Sequence, residues 1–223
     1  MKKALSPLLG TAAIALSLMF SGCKTDETDN ISIVRDYPAI QLNGRPILSV
    51  PVGSTYTDAG ATTTLRGATI NTTVRGSVDT STPGVYYINY VGRNPEGDSV
   101  TASRIVGVID PAVTALDLTG TYVRAATGGV AEVTKVDGVD GLYVSSNVGG
   151  IAANNPSIIV PAYFFHITPT TIDAPEQMIG GGTGMADITS EELVMTGSTV
   201  TAFKWRIIAT AVFGTALRTF EKQ

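Results

Sequence analysis

Between residues 84 and 110 apolar and polar positions alternate. Tyr86, Ile88 and Tyr90 fall on every second position, and beyond the turn formers of "GRNPEGD" (92–98) the apolar set resumes at Val100, Ala102, Val106 and Val108. A period of two puts each set on one face of a strand, so two such runs around a short turn predict an antiparallel hairpin. Arg104 interrupts the second apolar face. It is expected at the margin of the core, with its stem packed and its head in water. Upstream, "AIQLNG" and "PILSVPVGSTYTDAGA" predict further short strands, with Pro51 at an edge or a crossing between sheets. "DTSTPG" (79–84) predicts the turn that launches the Tyr86 strand. Short strands at this spacing predict a small β-sandwich over residues 37–110.

The mostly small and polar "DPAVTALD" around Pro111 predicts a domain boundary, and residues 111–223 a second domain. "VAEVTKV" and "LYVSSNV" read as strands on either side of a "DGVDG" turn, and the apolar "SIIVPAYFFHI" as a strand crossing the core. "ELVMTGSTVTAFKWRII" predicts two strands around Thr196-Gly197-Ser198, and "ATAVFGTALRTFEK" one or two more. "IGGGTGMADI" reads as a loop. Neighbouring strands joined by short loops predict an antiparallel meander, able to curl into a barrel or sandwich that deals with its edges. The fold class is therefore all-β: a small β-sandwich, then an antiparallel meander or barrel. The 24 glycines and 11 prolines, with no sustained helical period, point the same way.

The first 36 residues follow other rules. Lys2 and Lys3 precede an uncharged run, "ALSPLLGTAAIALSLMF". A short basic region before a modest apolar stretch is the layout of a secretory signal. The run is shorter than the ~20 apolar residues of a membrane span, and Pro7 and Gly10 break it. It ends in "FSGC", whose Cys23 is the single cysteine of the chain, so no internal disulfide can use it. The acidic "KTDETDN" that follows reads as a solvated tether over residues 23–36. Loss of Lys2 and Lys3 with residues 1–22 takes the formal charge from −4 to −6. That balance disfavours nucleic acid and electrostatic adhesion to anionic lipid.

"FSGC" resembles the bacterial lipoprotein signal, with Phe20 or Met19 where leucine is usual. The resemblance implies cleavage between Gly22 and Cys23 and lipidation of Cys23. Several acyl chains on one residue would give the stable anchoring that a single chain does not. Asp26, Glu27 and Asp29 resemble the acidic sorting signal that directs Bacteroidetes-type lipoproteins to the outer face of the outer membrane. The first domain resembles bacterial immunoglobulin-like modules of the hyalin-repeat group. Tyr56, Asp58, Gly60, Asp79, Pro83-Gly84, Tyr90, Asn94, Gly97 and Arg104 are among the residues that carry the match. It implies a spacer or adhesive module without catalytic residues. "LTGTY" (118–122) resembles the opening of lipocalin-like β-domains. The whole layout resembles Bacteroidetes outer-membrane lipoproteins of unknown function. In that setting a polysaccharide ligand and a starch-utilisation-type transporter partner are implied.

The residues themselves offer little catalysis. His166 is the single histidine and ends an apolar strand, so it reads as structural. No cofactor or metal is expected, because one histidine and no free thiol make a poor zinc site. Asp58 and Asp79 read as turn caps rather than calcium ligands, since calcium needs six or more oxygens. "GGGTG" (180–184) lacks the lysine and helix of a phosphate-binding loop. Glu176, Asp187, Glu191 and Glu192 are candidates for a glycosidase pair, but nothing in the sequence pairs them. Sugar binding needs an exposed aromatic platform. Tyr163 and Trp205 are the candidates, although Trp205 shares its strand face with Phe203 and Ile207 and so favours the core. The expectation is a non-enzymatic surface lipoprotein that binds polysaccharide. The alternatives are a structural or adhesin subunit of a surface assembly, and a glycoside hydrolase.

Overall fold

Alternation becomes a ladder in the hairpin of β6 (Gly84–Arg93) and β7 (Ser99–Ile109). The structure is a computed structural model, and it describes residues 35–179, 185–208 and 213–223. Gly22, Cys23, the tether as far as residue 34 and the glycine-rich 180–184 stretch lie outside the described residues, whereas Asp36, at the tether's end, pairs with Arg66 and its carbonyl accepts from Asn94 Nδ2 at 2.9 Å. Strand β2 (Ile47–Pro51) adds to β7 in parallel, and β5 (Thr72–Arg75) adds to β6, giving the order β2-β7-β6-β5. Pro51 therefore ends an edge strand, where its missing N–H costs no ladder bond. Over this sheet lies a three-stranded one, β1 (Ala39–Leu42), β3 (Ala61–Leu65) and β4 (Ala68–Ile70). Ile88, Tyr90, Val106 and Val108 are buried, and Gly92 lets Thr63 approach so closely that a Cβ would sit 2.3 Å from its methyl group.

Arg104 departs from expectation. It is 1% exposed, so its guanidinium lies in the interior rather than in water. Asp58 forms an ion pair with it, Tyr90 Oη accepts at 2.8 Å, and the carbonyls of Arg45, Asn43 and Gly60 accept the remaining protons. Asp58 also takes hydrogen bonds from Tyr56 Oη at 3.1 Å and Gly60 N at 3.0 Å. A guanidinium presents five donors in a fixed fork, and here each side of the fork meets an acceptor. Burial works against the charge on Asp58, but hydrogen bonds from Tyr90, Arg104 and Tyr56 outweigh it and hold the carboxyl below its ordinary range. Tyr56, Asp58, Gly60, Tyr90 and Arg104, which carry much of the Ig-like resemblance, are thus one polar knot inside the sandwich. Asp79 caps its turn as expected, accepting from Ser81 N at 3.0 Å and Thr82 Oγ1 at 2.9 Å.

Residues Pro111–Ala115 form a short 3-10 turn, capped by Asp110 through Ala112 N at 2.8 Å. The second half then builds one curled nine-stranded antiparallel sheet. Its strands are β8 (Gly120–Arg124), β9 (Gly129–Lys135), β10 (Leu142–Ser145), β11 (Ala162–Thr168), β12 (Thr171–Asp173), β13 (Gln177–Met178), β14 (Met185–Thr196), β15 (Thr199–Ile208) and β16 (Arg218–Lys222). The order β12-β11-β10-β9-β8-β16-β15-β14-β13 is two meanders joined by β8 and β16, rather than one. The segment before Ala162 is not strand: Pro156–Ile158 is a 3-10 turn. The interior is aromatic. Tyr122, Phe164, Phe203, Trp205 and Phe220 are fully buried, with ring centroids 4.6–5.9 Å apart. Leu118 and Tyr122 of "LTGTY" both enter this core, and Tyr122 Oη donates to Leu118 O at 2.8 Å.

The curl brings β12 beside β14, and side chains complete the seam. The amide of Gln177 accepts from Tyr163 N at 2.7 Å and donates to Tyr163 O at 2.8 Å, so it stands in for a neighbouring peptide group. Ser190, at φ 59°, sits in a bulge of β14, and the next residue, Glu191, accepts from Ala174 N at 3.3 Å. A bulge bends the strand and re-aims its side chains.

Candidate functional site

Strands of the first half have two faces, and only one points into the sandwich. On the other lie Val85, Tyr87 and Asn89 of β6, Ser103, Ile105 and Gly107 of β7, and Ile47 of β2, as the pairing register requires. Part of this face is covered by β11. Phe165 stacks so closely on Gly107 that a Cβ there would lie 2.5 Å from its ring. Phe165, Ile167, Ile109, Val113, Val139 and Leu142 form one apolar cluster across the joint, with Ile47, Val85 and Ile105 against it. Hydrogen bonds reinforce it: Asp110 N to Ile167 O at 2.8 Å, Val85 N to Asp173 Oδ2 at 3.2 Å, Glu176 N to Tyr87 Oη at 2.8 Å, and Arg45 Nη1 to Gly138 O at 2.6 Å. Asp36–Gln223 accordingly form one compact unit.

Two grooves open beside this contact. Tyr163 lies two residues before Phe165, on the same face of β11. Tyr163 is 41% exposed and lines a groove of about 330 Å³ with Arg45, Pro46, Ile47, Val136, Asp137, Val139 and Leu142. A second cleft of about 610 Å³ is lined by Tyr87, Asn89, Ser103, Ile105, Glu176, Met185 and Asp187. Ile47 lines the first and its cross-strand neighbour Ile105 the second, so both open along one row of the sandwich sheet. These are volumes in which small ligands and sugar units are held.

The second cleft is negative at one end. Glu176 and Asp187 line it, and Asp173 and Glu191 lie close enough to act on its charges. Burial, with Asp173 and Asp187 adding to it, pushes the Glu191 carboxyl up to about 7 against two backbone hydrogen bonds. Burial raises Asp173 as well, the Val85 N–H opposes, and Asp187 adds to the rise. The Tyr87 phenol is raised by burial first, then by the charges of Asp173, Glu176 and Asp187, with Glu176 N opposing. Tertiary structure thus brings together three of the four carboxylates that the sequence left unpaired. Glu192 is the exception: it pairs with Lys204 at 3.0 Å and lies off the cleft.

Of the two aromatic candidates, only Tyr163 is available to a ligand. Trp205 is 0% exposed, packs between Phe164, Phe203 and Phe220, and donates Nε1–H to Val148 O at 2.9 Å. The inward set of β15 has taken it into the core, which removes it as a platform. His166 is fully buried with its ring edge-on to Tyr143, and neither ring nitrogen makes a well-formed hydrogen bond, the backbone of Thr168 and Pro169 being its nearest polar company. Burial pushes its pKa down, opposed by the backbone of Pro169 and Thr168. Among the described residues no His, Cys, Asp and Glu side chains group as metal ligands. Tyr87, Asn89 and Ser103 escaped the sequence reading. Their signal was present, since Tyr87 and Asn89 alternate with the core residues of β6, but alternation does not say what faces the outer side.

Residues 40–108 match the family model described as bacterial surface protein, Ig-like domain, which is about a third of the chain. Among solved structures, a lipoprotein from Bacteroides thetaiotaomicron aligns with 84% of this chain and 100% of its own, at 21% identity and a TM-score of 0.38. No curated protein sequence matches.

Proposed function

We propose that this is a lipid-anchored protein of the bacterial cell surface that binds polysaccharide in the grooves between its two halves. The Ig-like match to bacterial surface proteins supports the surface location. The lipoprotein-like "FSGC" and the acidic tether support anchoring through Cys23 at the outer membrane, facing outward. Binding rests on one observation: an exposed Tyr163 on β11 that lines a groove together with the charged Arg45 and Asp137 and the apolar Ile47. Sugars present apolar C–H faces and a rim of hydroxyls, which such a ring and such flanking charges complement. The barrel interior is filled by aromatic side chains, so the ligand site is placed outside it. A neighbouring outer-membrane uptake complex is the partner such a protein would serve.

The test is affinity electrophoresis of the full-length chain in non-ionic detergent against a polysaccharide panel. At least one polymer should retard the wild type, and Tyr163→Ala should abolish the retardation while leaving the melting temperature unchanged. A panel without any retardation sinks the reading. The convergence of Glu176 and Asp187 on one cleft favours a second reading, glycoside hydrolysis. New reducing ends after incubation with a retained polymer, lost in Asp187→Asn, would replace binding by hydrolysis.

A further inference from the structure

We infer that the second cleft extends the Tyr163 groove as a selectivity subsite that admits uncharged polysaccharides and excludes anionic ones such as polyuronates. The inference rests on the polysaccharide reading above and deepens it. The cleft is the larger of the two, and both halves of the molecule line it. Its floor offers what a neutral sugar ring uses. The apolar Ile105 stands beside the half-buried Tyr87 ring, with the hydroxyl of Ser103 and the amide of Asn89 next to them, joined to each other at 2.6 Å. The Asn89 amide nitrogen, which has no role in that bond, can donate to a sugar hydroxyl.

The opposite wall gives the discrimination. Glu176 and Asp187 line the cleft as acceptors of sugar hydroxyl protons, and Asp173 adds negative charge behind them. A uronate or sulfate brought into that space meets like charge inside a partly desolvated cleft, where repulsion is weakly screened. Like-charge exclusion of this kind discriminates by penalising the wrong ligand rather than by improving the right one. Arg75 shares the sheet face as the cross-strand partner of Asn89, but it does not line the cleft and so leaves the negative wall in place. At the Tyr163 end, Arg45 keeps its charge while donating to Gly138 O, and Asp137 lines the same groove as an opposite charge, so the discrimination rests on the second cleft. The position of the cleft also gives it leverage: a chain lying on Tyr163 and crossing the Ile47–Ile105 row must pass it.

The experiment measures the ratio of affinities for a polyuronate and for a neutral glucan of similar length. It uses the full-length chain in detergent, with Glu176→Gln/Asp187→Asn beside the wild type. The wild type should favour the neutral polymer, and the double variant should lower that preference by about tenfold or more, which is about 1.4 kcal/mol. Raising salt from 0.05 to 0.5 M on the wild type should erode the preference in the same direction, an arm that does not depend on the variant folding. Equal binding of both polymers, or a preference unmoved by both the variant and salt, overturns the inference while the polysaccharide reading stands. Binding of neither polymer, nor of any other in the panel, removes the reading and the inference together.

Discussion

Buried and half-buried polar side chains make opposite demands on the fold. Arg104 is matched by Asp58, Tyr90 and three carbonyls, so Arg104→Met should cost roughly 3–5 kcal/mol, the loss expected when one partner of a buried pair is removed. Denaturant melts read this directly, and a loss below about 1 kcal/mol would mean the knot contributes little. Asp58 sits below its ordinary range, so its share of stability is present above the unfolded carboxylate pKa and is lost as pH falls through the lower folded value. Glu191 works the other way. Its folded pKa, about 7, lies above the unfolded value, so its stabilisation is full below the unfolded pKa and fades as pH rises through 7. Glu191→Gln should therefore melt close to the wild type at pH 5 and above it at pH 8, by at most on the order of 3 kcal/mol. A difference that does not change with pH would remove Glu191 from that role. His166, buried without a well-formed hydrogen bond, should tolerate replacement by an apolar ring. His166→Phe is expected to match or exceed the wild-type melting temperature, because it deletes an unsatisfied polar group.

At the scale of elements, the decisive contact is β7 against β11. Gly107 has no Cβ, and that vacancy is occupied by the Phe165 ring. Gly107→Ala should cost about 1–3 kcal/mol by overpacking, since a ring with no free space cannot step aside. In a Phe165→Ala background the same change should cost almost nothing. Additivity of the two would mean the halves are not docked through this pair. The seam of the curled sheet depends on a side chain rather than on backbone pairing. Gln177 closes it with two hydrogen bonds to Tyr163, and it therefore also holds the strand that presents the candidate platform. This couples the architecture of the barrel to the shape of the groove.

At the scale of the whole molecule, the two halves of Asp36–Gln223 form one compact unit with grooves at their joint, so the Ig-like module contributes lining residues rather than spacing alone. The surface proposal is tested on intact cells. Wild type should fractionate with membranes and be shaved by external protease, whereas Cys23→Ala should leave the membrane fraction. Protection of the wild type until the outer membrane is broken would reverse the orientation and turn the search toward periplasmic partners.

The sequence by itself determined whatever depends on neighbours along the chain. Alternation in "GVYYINY" and "AFKWRII" specified strands and their inward faces, because successive side chains must point to opposite sides. Asp79, Asn94 and Gly97 specified turns, because their side chains and backbone freedom act over two to four residues. The order of residues in the Ig-like resemblance pointed to the sandwich without revealing that five of them make one knot. Only the tertiary structure decided what depends on residues far apart. Arg104 could be buried because acceptors from positions 43, 45, 58, 60 and 90 converge on it, a coincidence that no local pattern encodes. Tyr163 and Trp205 are both aromatics on apolar strands, and folding left one exposed in a groove at the joint and buried the other in the aromatic core of the curled sheet. The joint itself depends on Gly107 and Phe165, 58 positions apart, meeting where the missing Cβ leaves room for the ring.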